Sequence, residues 1–272
     1  MFSPRYARSA RYSRGLRMIE NVSLSTIPTI PDIRPKDDLA LIIGNALESH
    51  GVESGDILCI AHKIISKAEG AIFNLEEIEP STEALEYAEK LNKNPKKVEI
   101  VLRQSKRVVR AFKRPQQNEG TMICEHHLGF ISANAGVDES NSEPSTVITL
   151  PNDPDASARK LGRKLEDRFG VQLGIVITDT FGRPWRLGQV NVAIGLFRVP
   201  AITSDIGKKD AWGRELSVTE PALCDELAAA SGLVIKKAAK TPIVLFRGLK
   251  WAMEEETSAR NILRANSEDM FR

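Results

Sequence analysis

Three short runs carry the residue types from which a site for anions and hard cations can be built. The first is Thr178-Asp179-Thr180, followed closely by Arg183 and Arg186. Its carboxylate and hydroxyls are oxygen ligands suited to a hard cation, and its guanidinium groups match phosphate. The second is His62-Lys63-Ile64-Ile65-Ser66-Lys67, which gathers an imidazole, two ammonium groups and a hydroxyl. Lysine meets phosphate as a point charge, while serine and backbone N–H groups add hydrogen bonds. The GxxxxGK[ST] pattern is missing, so this is not a Walker A loop. The third run is Ser132 to Asn141, SANAGVDESN. Its small residues and Gly136 let the backbone come close to a ligand, and one turn can present Asp138 and Asn141 to a metal and a nucleotide. Each run alone also has an ordinary reading: a capped strand end, a polar surface turn, an Asx-rich turn.

The elements around these runs must position them. Gly174 to Ile177 is apolar and β-branched, which predicts a buried strand ending at Thr178-Asp179-Thr180, with a turn at Gly182-Arg183-Pro184 and a second strand at Val190 to Ile194. Ile57 to Ala61 predicts another buried strand, which delivers the His62 to Gly70 segment as its polar continuation. Asp37 to Ser49 has the spacing of an amphipathic helix, with Gly51 as its stop. Ser81 to Leu91 and Pro95 to Phe112 read as two charged helices whose polar faces are solvated. Thr121 to Glu125 and Gly129 to Ala133 read as a hairpin flanking His126-His127. Adjacent histidines on a strand point to opposite faces, so this pair reads as structural or substrate-facing. A strand at Thr146 to Leu150 leads to a helix reaching Phe169, with Asp155 or Ser157 as N-cap. A polar loop at Ile206 to Leu216, a helix at Glu220 to Gly232 and a strand at Ile243 to Phe246 complete the pattern.

Composition narrows the class. The chain has 272 residues, with 38 basic and 36 acidic side chains and a formal net charge of +2. That near balance gives no bulk electrostatic reason to expect nucleic acid or a membrane surface. No apolar run approaches the roughly 20 residues of a bilayer span. Cys59, Cys124 and Cys224 are scattered, without the spacing of a zinc site or disulfide frame, as in a reduced cytoplasmic protein. Residues 1–17 hold five arginines and no acid. Such composition can mimic a targeting peptide, but it reads better as a disordered extension or an upstream start, with Met18 as the working start. Residues 18–253 then form the folded unit, and 254–272 a charged tail.

Taken together, HKIISKAEG, ANAGVDESN, LPNDPDASA and ITDTFGRPWRLGQVNVAIG resemble the coenzyme F420-0:L-glutamate ligases, the CofE family, which also forms the ligase domain of FbiB-type enzymes. IGKKDAWGREL, LCDELAAASGLV and PIVLFRGL extend the resemblance over about Ile27 to Leu249. It implies a mixed α+β (α/β) fold of CofE type, in an intertwined homodimer. It implies an acid–amino-acid ligase that consumes GTP, forms GDP and adds L-glutamate to F420-0, then further γ-linked glutamate, through an acyl phosphate. Mg²⁺ or Mn²⁺ is implied at two sites, with K⁺ as a candidate stimulant. By motif position, Asp138, Asp179 and Thr180 fall on metal ligands. Ile27, Pro28, Thr29, Ile30, His62, Lys63, Lys67 and Asn141 fall on GTP-contacting positions, and Asp138, Asp179 and Lys67 become the catalytic set. Relatives carry an acidic or amide ligand in the stretch that here reads Val234 to Thr241, where this chain has Lys236. The alternatives are an amide ligase with a different acceptor or nucleotide, and a non-catalytic nucleotide- or deazaflavin-binding paralogue.

Overall fold

The computed structural model describes residues 21–235 and 240–269. The reading of residues 1–17 and that of Lys236 therefore lie outside the described residues. The chain is a mixed α/β fold. Its strands are β1 (Ser23–Thr26), β2 (Ile57–Ala61), β3 (Ile72–Asn74), β4 (Ser105–Phe112), β5 (Thr121–His126), β6 (Ile131–Ala133), β7 (Thr146–Ile148), β8 (Gly174–Arg183), β9 (Arg186–Phe197) and β10 (Ile243–Arg247). Its α-helices are α1 (Leu39–Glu48), α2 (His62–Glu69), α3 (Thr82–Leu91), α4 (Pro95–Gln104), α5 (Pro154–Phe169) and α6 (Leu223–Ser231).

The main sheet has the order β1-β10-β2-β8-β9, with β2 and β8 parallel and the other pairs antiparallel. Ile57, Leu58, Cys59 and Ile60 of β2 and Ile175, Val176 and Ile177 of β8 are all fully buried. That explains their unbroken apolar runs, since a parallel pair is covered on both faces. Each such aliphatic side chain contributes about 1.5–3 kcal/mol relative to exposure. A second core lies where α3 and α4 meet the β4-β5-β6 sheet, around Leu91, Val98, Ile100, Val101 and Met122.

Several elements depart from the expectations. β8 does not stop at Thr178-Asp179-Thr180 but runs on to Arg183, because β9 pairs with it along its whole outer half. The turn falls at Pro184-Trp185, with Trp185 at φ 63°. The polar segment after β2 is not a loop but the helix α2, closed by Gly70 in the left-handed region at φ 76°. Ile64, Ile65 and Ala68 had the helical spacing, and Gly70 is a C′ residue that needs no Cβ there.

The helix starting at Pro95 ends at Gln104, and residues 105–112 form a strand. The β-branched Val108-Val109 pair packs better in a strand, and pairing with β5 outweighs the helical pattern of the charges. Asp153, rather than Asp155 or Ser157, caps α5, its carboxylate accepting from Ala156 N at 2.9 Å. Asp155 instead ties the end of the chain to the core: its oxygens accept from Leu196 N, Ser258 Oγ and Ala259 N at 2.8, 2.6 and 3.1 Å. The charged tail therefore begins with a docked segment, in which Thr257 and Ala259 are buried.

Candidate active site

The site is organised by one junction. β2 ends at Ala61 and α2 starts at His62 with no intervening loop, while Ala61 pairs with Thr178 on the parallel neighbour β8. The first turn of α2 therefore faces Asp179. No side chain caps this helix start, so its first N–H groups remain available to an anion.

Consecutive residues of that turn meet the two acidic candidates. His62 is 2% exposed, with Nδ1 3.1 Å from Ser66 Oγ and Nε2 3.3 Å from Asp179 Oδ1. The Nε2 contact is close enough for an ion pair yet lacks hydrogen-bond geometry, so Nε2 is a buried nitrogen without a hydrogen-bond partner. Lys63 Nζ donates to Asp138 Oδ2 at 2.7 Å and to Ser140 O at 3.1 Å, and also meets Ser140 Oγ. Ser140 returns two bonds to Asp138, from its N–H to Oδ1 and from Oγ to Oδ2, both at 2.8 Å. Burial pushes the Asp138 carboxyl up, but the Lys63 ammonium and the Ser140 donors outweigh it and hold the group well below the usual carboxylate range. One turn on, Lys67 shares the Lys63 face and donates to Asp32 Oδ1 at 2.9 Å.

The strand side is equally specific. Where Thr178 pairs with Ala193, the ladder slips by one residue and leaves Ile194 extra. Such a bulge re-aims the side chains beyond it, here Asp179 and Thr180. Asp179 Oδ1 accepts from Thr180 N at 2.7 Å, and Thr180 Oγ1 donates to Asn191 Oδ1 across the ladder at 2.9 Å. Arg183 and Arg186 lie beyond, at the hairpin end, where Arg183 Nη2 donates to Leu187 O at 3.1 Å.

Ile27 to Ile30 lead away from β1 along the β10 edge, with Ile27 N donating to Ile243 O at 3.0 Å. Ile27 and Ile30 are buried, whereas Pro28 and Thr29 are exposed. Thr29 adopts φ 66°, an outlier for a β-branched residue. Beside it lies a shallow depression of about 250 Å³, bounded by Pro31 and by Ile42, Asn45 and Ala46 of α1. Asn141 is exposed one residue past Ser140, at φ 59°.

The structure thus pairs Asp179 with His62 and Asp138 with Lys63, ties Thr180 to Asp179, and puts Lys67 one helical turn away. Asp32, Ser140 and Asn191 were not singled out from sequence. Ser140 had a local signal, a hydroxyl two residues after an Asp. Asn191 had no such signal: the turn at Pro184-Trp185 alone would set Gln189 opposite Thr180, and only the irregularity between Gly182 and Arg183 shifts the ladder by two to bring Asn191 there. Asp32 gives no local signal, because its partner is 35 residues away.

The chemistry these groups define is oxygen and ammonium recognition of an anion carrying a cation, at the end of a parallel strand pair. Among the described residues, no three His, Cys, Asp or Glu side chains gather in metal-holding geometry. Mg²⁺ and Mn²⁺ are commonly bound by one or two carboxylates together with substrate phosphates and water. Asp179 and the Thr180 hydroxyl fit such a site, and Asp138 fits once Lys63 is drawn away.

That geometry stands in a chain belonging to a known enzyme family. The family model for F420-0:Gamma-glutamyl ligase matches residues 28–248, so the chain belongs to that family. Relatives named Coenzyme F420:L-glutamate ligase include one from Methanopyrus kandleri, 45% identical over 93% of this chain and 99% of its own length. Those from Methanothermobacter thermautotrophicus and Archaeoglobus fulgidus are 40% and 38% identical, each over 92% of this chain and 99% and 96% of their own lengths.

Proposed function

We propose that this chain joins L-glutamate to coenzyme F420-0 in a GTP-dependent reaction and then adds further γ-linked glutamate. The observation that carries the reading is the α2 junction, where consecutive residues His62 and Lys63 hold Asp179 and Asp138. The activity for which relatives such as the 45% identical Methanopyrus kandleri protein are named supports it. Lys63, Lys67 and the open N-terminus of α2 hold the phosphates of GTP, and Ile27 to Ile30 flank the nucleotide, with Asn141 reaching it from the other loop. Asp138, Asp179 and Thr180 hold Mg²⁺ or Mn²⁺, which when bound neutralises phosphate charge and steadies the transfer. An acceptor carboxylate oxygen attacks the γ-phosphorus as GDP leaves, giving an acyl phosphate. The glutamate amine then attacks the acyl carbon and phosphate departs. The chain supplies position and electrostatics, so the reaction needs no protein nucleophile.

One observation favours a second reading, a nucleotide-binding paralogue without ligase activity: Asp138 is already engaged by an ammonium. Mass spectrometry of F420-0 incubated with the protein, L-glutamate, GTP and Mn²⁺ separates the two. Added glutamyl units with wild type and none with Asp179→Ala establish the ligase. Intact GTP binding without any addition rejects it. We further propose a cytoplasmic homodimer, stimulated by K⁺, in which exposed apolar side chains of the β8–β9 hairpin meet the second copy.

A further inference from the structure

Behind Thr180 lies a chain of three hydrogen bonds whose direction is fixed from its far end. Ser231, the last residue of α6, is fully buried, and its hydroxyl donates to Ala228 O at 2.6 Å. A carbonyl can only accept, so that bond uses the one hydroxyl proton of Ser231. Ser231 Oγ is thereby left as an acceptor for Asn191 Nδ2, 3.4 Å away. The amide of Asn191 is thus turned so that Oδ1 faces Thr180, whose hydroxyl donates to it at 2.9 Å. Thr180 has spent its proton, and its remaining lone pairs can serve only as acceptors. Gly232 lets the helix end come this close, since a Cβ there would stand 3.3 Å from Asn191 Nδ2.

We propose that Asn191 and Ser231 are positioning residues that fix the Thr180 hydroxyl as an oxygen donor toward a divalent cation. The inference rests on the metal-dependent reading above and names residues that act through Thr180 without touching the cation. Were Asn191 reversed, its NH₂ would meet Thr180 and turn the hydroxyl proton outward, against a cation. The relay holds the productive arrangement in advance.

The test is Mn²⁺ binding in the presence of GTP, read by electron paramagnetic resonance, with circular dichroism as a check on folding. Thr180→Val and Asn191→Leu each weaken Mn²⁺ binding by about tenfold or more. Asn191→Asp keeps an acceptor oxygen facing Thr180 and retains the binding that Asn191→Leu loses. A merely structural role predicts the reverse, because a half-buried extra charge harms packing more than leucine does. Ser231→Ala frees the amide to turn and gives an intermediate loss; should Asn191→Leu not fold, this variant decides in its place. Wild-type binding with Asn191→Leu and Ser231→Ala unchanged overturns the relay alone, whereas Mn²⁺ retention by Thr180→Val overturns the relay and removes Thr180 from the proposed metal ligands. No Mn²⁺ binding by wild type overturns the metal-dependent reading and the relay with it.

Discussion

Asp138 receives its charge compensation from Lys63 before any ligand arrives, and the two are separated by 75 residues. Removing the ammonium leaves a half-buried carboxylate short of its strongest partner and takes a point charge from the proposed phosphate site. Lys63→Met should therefore lower steady-state glutamyl transfer by about tenfold or more, the usual range for supporting groups; a wild-type rate would exclude Lys63 from the site. Away from the site, His126 shows the other direction. Burial, helped by the neighbouring His127, pushes the imidazole down to about 4 from its ordinary 6.5. Between those values the unfolded chain takes up a proton that the folded chain refuses, so stability is complete above 6.5 and falls as pH drops towards 4. Urea unfolding at pH 7 and pH 5 should show that loss, and His126→Gln should shrink it. The carboxylates and lysines were legible in the sequence because their types announce their chemistry. Their pairing was not, since it depends on which strand lies beside which.

Among the elements, α3 and α4 are joined through Glu99, whose Oε2 accepts from Ser81 N and Oγ at 2.9 and 2.6 Å at the start of α3. These two bonds, aided by Arg103, pull the carboxyl down from 4.5 to about 2. A depressed carboxyl gives its stability above pH 4.5 and loses it as pH falls towards 2. Glu99→Ala should cost about 1.5–3 kcal/mol at pH 7 and much less at pH 2.5, measured by chemical denaturation, as expected for a bond to a charged acceptor. Gly195 marks a second dependence, for a Cβ there would stand 2.6 Å from Pro154 backbone atoms. Gly195→Ala should push α5 off β9 and cost about 1–3 kcal/mol, read as a lowered melting temperature.

β2, α1, α3 and β10 were readable because their apolar spacing and turn residues agree with the fold. α2 was hidden by its lysines, which drew attention to surface chemistry. β4 was hidden by charges at helical spacing, although only its β-branched pair mattered once β5 lay alongside. The outer half of β8 was hidden because Thr and Asp are common at strand ends, and only the partner strand shows that they continue.

For the whole molecule, the exposed apolar side chains lie outside both cores. Trp185 and Leu187 at the hairpin end are 86% and 94% exposed, and Trp212 on the 206–216 loop is 89% exposed. Surfaces of this kind commonly mark contacts between chains. The double variant Trp185→Ser and Leu187→Ser should move the protein from dimer to monomer in light scattering after gel filtration. A wild type that is already monomeric would remove the homodimer. Among the described residues, no helix is long and apolar enough to cross a membrane.

The pairing of β1 with β10, Ser23 opposite Arg247, brings the two ends of the sequence side by side in one sheet. During synthesis the first strand must wait for more than two hundred later residues before its partner exists. β2 waits in the same way for β8, Ile57 opposite Gly174. The Asp179 side of the α2 junction is thus assembled late, from contacts far apart in the chain, and such topologies fold slowly. A chain stopped just before Ile243 would carry every proposed catalytic side chain while leaving β2 with an open edge. Nascent copies of this protein should therefore lean on chaperones until the last strand emerges.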